Sequence, residues 1–214
     1  MVKFVERIGM EFKYTHDLIN QGFTYAAYRK KISNQLAEQD SAEESVRKLL
    51  KYTSKNEVRM TSIDESLTLI PEVIETLKTS KPVTWLVLTE GWCGDAASSV
   101  PVIAAIAAQF PEKITLRFLF RDENPELMDA HLTNGGRSIP KLIMLDESLH
   151  FTGSWGPRPQ ILQDRMDVWK VEYGNDFATL ISRVNAWYDE DKSVSIQQEI
   201  RNMMIEQAPT GHSV

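Results

Sequence analysis

Cys93 is the only cysteine in this chain, and it stands in Glu90-Gly91-Trp92-Cys93-Gly94-Asp95-Ala96-Ala97, directly after an apolar run. A cysteine between a buried strand and a helix sits at the helix N-terminus. There, unpaired backbone amides and the positive end of the macrodipole favour the thiolate. Such a thiolate attacks a disulfide or a hydroperoxide, and the resulting mixed disulfide or sulfenic acid waits for an external thiol. With one cysteine the chain cannot form an internal disulfide. Asp95 opposes activation, because a carboxylate close to a thiolate raises the thiol pKa. Acidic residues are also simply favoured in the first turn of a helix. If the thiol does no chemistry, Cys93 is a small buried hydrophobe kept for packing.

The neighbouring segments supply the positioning elements. Val83-Thr84-Trp85-Leu86-Val87-Leu88-Thr89 reads as a buried parallel strand, punctuated at its start by Lys81-Pro82. Residues 97–108 form a strong helix interrupted by Pro101. Lys113 to Phe120 reads as a second inner strand, and Glu126 to Asn134 as a short helix ended by Gly135-Gly136. Arg137 to Leu145 contains Ile139-Pro140 and continues as a strand. After the turn Asp146-Glu147-Ser148, residues 149–156 return as an antiparallel edge strand.

The flanks are helical. Tyr25, Tyr28, Ile32 and Leu36 make one apolar stripe; Leu162, Met166, Trp169 and Tyr173 a second; Phe177, Leu180, Ile181, Val184, Trp187 and Tyr188 a third. Their helical spacing assigns them to core packing. Ser41-Ala42-Glu43-Glu44 matches a capping box. A last helix is expected around Ser195 to Glu206, with fraying from Ala208 to Val214.

Residues 62 to 188 resemble a thioredoxin-like domain along their length. The motif Trp-Cys-x-x-Cys is present with Ala96 in place of the second cysteine, and Pro101 follows five positions later as in that family. Ile139-Pro140 is similar to the family's cis X-Pro bend beside the cysteine. The resemblance implies an α/β, thioredoxin-like three-layer fold with a mixed central sheet and additional N- and C-terminal helices. Its divisions are a helical extension over 1–60, the domain over 61–190, and a C-terminal helix and tail over 191–214.

By the same resemblance Cys93 is the catalytic position, and Trp92, Gly94, Asp95, Ile139 and Pro140 form the substrate groove. Val87 replaces the buried aspartate that assists a resolving thiol, consistent with the lack of one. The activity this implies is monothiol thiol-disulfide exchange with a protein or small-molecule disulfide, completed by an external reducing thiol and using no cofactor. The alternative is a redox-inactive module that captures an extended peptide or partner at the groove near Trp92 and Pro140.

Other chemistries fit less well. The motif C-G-D-A is not the C-G-F-S of cluster-binding glutaredoxins, although Arg137 could offer the bend a cation. Thr89 stands four residues before the cysteine, not the three of a peroxiredoxin. His16, His131, His150 and His212 lack zinc-ligand spacing. A formal charge of -6 argues against nucleic acid, and Arg29-Lys30-Lys31 reads as a solvated helix face. No apolar stretch reaches membrane-spanning length, and Met1 to Arg7 lacks a secretory signal. These features place the protein in the cytoplasm, where thiols stay reduced.

Overall fold

A computed structural model describes residues 12–206 of the 214-residue chain. Strand β1 (Val83–Thr89) pairs in parallel with β2 (Ile114–Phe120) and antiparallel with β3 (Lys141–Leu145). Strand β4 (Phe151–Trp155) closes the far side against β3, giving the order β2-β1-β3-β4. All of β3 and the last five residues of β1 are buried. Alternate side chains of a strand face opposite ways, so both faces of the sheet are covered.

The helices among the described residues are α1 (His16–Gln21), α2 (Tyr25–Ala37), α3 (Glu44–Ser66), α4 (Pro71–Thr79), α5 (Gly94–Ala108), α6 (Pro125–Asp129), α7 (Gln160–Tyr173), α8 (Phe177–Asp191) and α9 (Val194–Glu206). The Ala-rich α5 follows β1 and is buried along nearly its whole length, with Pro101 accommodated inside it. α3 runs beside α5, and α9 packs on both α4 and α5. α2 lies on β2, where the Tyr28 ring stacks on Phe118 at 5.2 Å and its hydroxyl meets Thr89 at 3.3 Å. Phe23 and Phe118 exchange backbone hydrogen bonds at 2.8 Å, which partly closes the β2 edge. Residue 60, the edge of the expected extension, lies within α3.

Several local expectations change in three dimensions. The helix expected to reach Asn134 ends at Asp129 and continues as turns. The strand expected from Arg137 begins at Lys141, after a proline that has no amide to give the ladder. The capping box does not form: Ser41 sits in a short 3-10 turn and its hydroxyl donates to Glu38 O at 2.8 Å. α3 then starts behind Glu43, whose side chain makes no cap bond. The third stripe is not all core, since Phe177 and Ile181 are 69% and 52% exposed. Arg29 is not a solvated charge; it joins α2 to α3 through Glu57 and Asp64, with Tyr25 and Thr61 as further partners. The secretory-signal and fraying readings, Met1 to Arg7 and Ala208 to Val214, lie outside the described residues, as does His212.

Candidate functional site

Cys93 is the N-cap of α5, with extended backbone angles (φ -81°, ψ 119°). Its carbonyl accepts from Ala97 N at 3.0 Å and its amide donates to Glu90 O at 3.1 Å, so the loop is held from both sides. α3 supports the same loop. Asn56 donates to Gly91 O at 2.9 Å, and a Cβ on Gly91 would sit 3.0 Å from a Thr53 methyl.

Ile139-Pro140 is cis, as the resemblance implies. Cys93 Sγ donates to Ile139 O at 3.3 Å, bringing cysteine and bend into contact. At Ile139, one of the expected groove residues, the backbone carbonyl is therefore engaged by the thiol. Ile139 and Pro140 are both buried. Gly156 explains part of this. At φ +112° it packs so closely that a Cβ there would lie 2.1 Å from Pro140 O.

Cys93 itself is only 9% exposed. Burial pushes its thiol from an ordinary 9.0 up to about 12, with the Asp95 carboxylate the next cause. Hydrogen bonds from the backbone of Ala96 and Asp95, and the charge of Arg158, pull the other way without reversing the shift. The helix terminus does act on the sulfur; desolvation is the larger effect.

Asp95 is in the first turn, as expected, and is also the centre of a partly buried cluster. Arg158 Nη2 donates to one carboxylate oxygen, and the Tyr188 hydroxyl donates to the other at 2.9 Å. Burial, then the neighbouring carboxylate, raises the Tyr188 phenol well above its ordinary value. Sequence reasoning missed both partners. Tyr188 was absorbed into an apolar stripe, and Arg158 sits between two prolines with no periodic signal. The usable clue was the carboxylate in a helix otherwise apolar enough to be buried, since a buried charge needs a partner. A cavity of about 510 Å³ opens beside this cluster, bordered by Gly94, Asp95 and Arg158 and walled by Met166, Leu180 and Val184.

Trp92 faces a different space. It is half-buried, with the Arg121 guanidinium 4.9 Å from its ring centroid. Beside it lies a cleft of about 350 Å³ whose walls include Val46, Leu49 and Leu50 of α3. Glu38, Glu90 and Asp122 also line it. Glu90 accepts from Asp122 N at 3.0 Å, and partial burial raises its carboxyl pKa. The expected groove residues thus divide: Ile139 and Pro140 are sealed against Cys93, Trp92 opens towards the helical extension, and Gly94 and Asp95 open towards α7 and α8.

Arg137 pairs with Asp129 through two bonds of 2.6 Å. His131 Nε2 meets the Tyr14 hydroxyl, and His150 lies beside Asp146. Among the described residues no group of three His, Cys, Asp or Glu side chains could hold a metal, and no helix is long and apolar enough to cross a membrane.

A mixed sheet with a cysteine capping a central helix, set against a cis-proline bend, defines a protein of the thioredoxin-like α/β class. The chain belongs to the thioredoxin family, whose model matches residues 42–170. It is similar in fold to a protein of unknown function from Pseudomonas aeruginosa, with TM-score 0.59 and 17% identity over 92% of this chain and 100% of that one. An HIV epitope-scaffold protein gives TM-score 0.58 at 17% identity with the same coverage.

Proposed function

We propose that this protein is a thioredoxin-fold binding module that captures a partner segment at the cleft beside Trp92, with Cys93 serving the architecture of the loop. The observation that carries this reading is the state of the thiol: 9% exposed, donating to Ile139 O, with its pKa pushed up to about 12. At neutral pH such a thiol holds its proton, and the thiolate is the attacking species. The cleft offers what capture needs: an indole, the apolar side chains of α3, and three carboxylates. Its complement is an extended segment carrying apolar and basic side chains, met in the reducing cytoplasm.

Monothiol exchange through Cys93 is the second reading. It is favoured by the Asp95 and Ala96 backbone bonds to the sulfur, which stabilise a thiolate once the loop opens. It would use a protein or small-molecule disulfide and an external reducing thiol.

One experiment separates the two. A fluorescent twelve-residue Lys/Leu peptide is titrated against the full chain, and the same chain is incubated with glutathione disulfide at pH 7. Binding kept in Cys93→Ala and lost in Trp92→Ala, with no mixed disulfide formed, is the expected result. Rapid mixed-disulfide formation with no peptide binding overturns the module reading in favour of exchange.

A further inference from the structure

A cleft larger than either of those beside Asp95 and Trp92 lies away from the cysteine loop. It encloses about 800 Å³ between one face of α3, the chain joining α3 to α4, and the turn joining α8 to α9. This volume is within the usual range for small-molecule sites, about 300 to 1,000 Å³.

Its charge is opposite to that of the molecule. Lys55, Arg59 and Lys192 line it against a single acid, Asp189, in a chain of formal charge -6. Asp189 is taken by Arg59 at 2.9 Å. Arg59 is fixed further by Ser98, whose hydroxyl accepts from its Nε at 2.7 Å. Neither lysine has an ion-pair partner among the described residues. Lys55 and Arg59 are four apart on α3, so they project from one helix face, with Ser62 and Ser66 continuing the row.

Ser193 lines the same cleft, and its hydroxyl oxygen keeps contact with solvent there and makes no hydrogen bond to the protein among the described residues. Lys192 and Ser193 are both left-handed (φ +51° and +64°), a conformation that costs a non-glycine residue energy. The remaining wall is apolar, with Ile63, Leu67 and Leu69.

We propose that this cleft binds a small organic phosphate monoester. Its dianionic head meets Lys55, Lys192 and the Ser193 hydroxyl, with Arg59 behind them, and its carbon body lies on the apolar wall. Two unpaired lysines and a fixed arginine suit a doubly charged head better than a single carboxylate. The apolar wall separates this site from one for inorganic phosphate. The site does not depend on what Cys93 does.

The test is calorimetric titration of the full chain with phenyl phosphate and with inorganic phosphate, alongside co-sedimentation with vesicles containing phosphatidate. Phenyl phosphate should bind saturably and more tightly than inorganic phosphate. Affinity should fall at least about tenfold in Lys55→Glu/Lys192→Glu, which removes two charge-assisted contacts. It should fall severalfold in Ser193→Gly, which keeps the backbone conformation. Lys30→Glu/Lys81→Glu makes the same change of net charge on exposed lysines outside the cleft and should leave affinity unchanged. If only the vesicles bind, and the Lys55→Glu/Lys192→Glu chain does not, the phosphate belongs to a lipid headgroup and the site stands. Equal binding by both double variants, no binding of any probe, or equal affinity for the two soluble phosphates refutes the proposal.

Discussion

Substituting Asp95→Asn tests how the cysteine loop controls its thiol. The Cys93 pKa is raised from 9.0 to about 12, first by burial and second by the Asp95 charge. Three pH units correspond to a thiolate fraction about a thousandfold lower than that of an unhindered thiol, so at pH 7 roughly one molecule in 100,000 carries the anion. Asp95→Asn removes the negative charge and leaves Arg158 positive and unpaired. Both changes favour the thiolate, while the burial that dominates the shift remains. The midpoint should therefore fall by on the order of one unit and still lie above that of a free thiol, about 8.5.

The assay is the rate of alkylation by iodoacetamide as a function of pH, with the urea-unfolded chain as the unhindered reference. In the folded wild type the rate at pH 7 should be at least about a thousandfold below that reference, since burial adds a steric obstacle to the electrostatic one. Asp95→Asn should raise it about tenfold. A wild-type inflection below about 8.5 would falsify the assignment of burial as the controlling effect. An Asp95→Asn profile that is unmoved or shifted upward would show that the carboxylate is not coupled to the sulfur.

Two further predictions concern the surroundings of the site. Gly156→Ala places a methyl group 2.1 Å from Pro140 O at φ +112°, so it should cost about 3 kcal/mol or more and lower the midpoint of thermal unfolding by several degrees; a melt within one degree of wild type would show that the bend has room to yield. His131 is held down at about 4 from 6.5 by burial and then by Lys141. The unfolded chain therefore takes up this proton first, and the stability that neutral His131 contributes above pH 6.5 is lost as pH falls towards 4. Urea midpoints measured across that window should decline in the wild type and decline less in His131→Gln, and parallel curves would remove His131 from the explanation.

Much of this molecule was legible along the chain. The apolar β-branched run before Glu90, the Ala-rich run after Asp95 and the apolar run after Pro140 are found as β1, α5 and β3. Their order, with Trp92-Cys93 before α5 and Ile139-Pro140 directly before β3, was enough to indicate the family. Periodicity works here because burial on both faces of a sheet demands unbroken apolar stretches, and a short-range pattern carries that demand. Local rules failed where a neighbour in space competed with a neighbour in sequence. Ser41 had the right spacing for a cap but bonds Glu38 O in a turn, and the apolar Phe177 and Ile181 border a cavity where packing was expected.

What the sequence determined by itself was the elements, their order and the presence of one thiol at a helix N-terminus. The tertiary structure decided the condition of that thiol. Arg158 and Tyr188 reach Asp95 from 63 and 93 positions away, and the Ile139 carbonyl reaches the sulfur from 46. A helix terminus alone lowers a thiol pKa; the same terminus under packed side chains and beside a fixed carboxylate yields a thiol that keeps its proton. Solvent access and local field depend on which distant segments converge, and no spacing of residues along the chain encodes them.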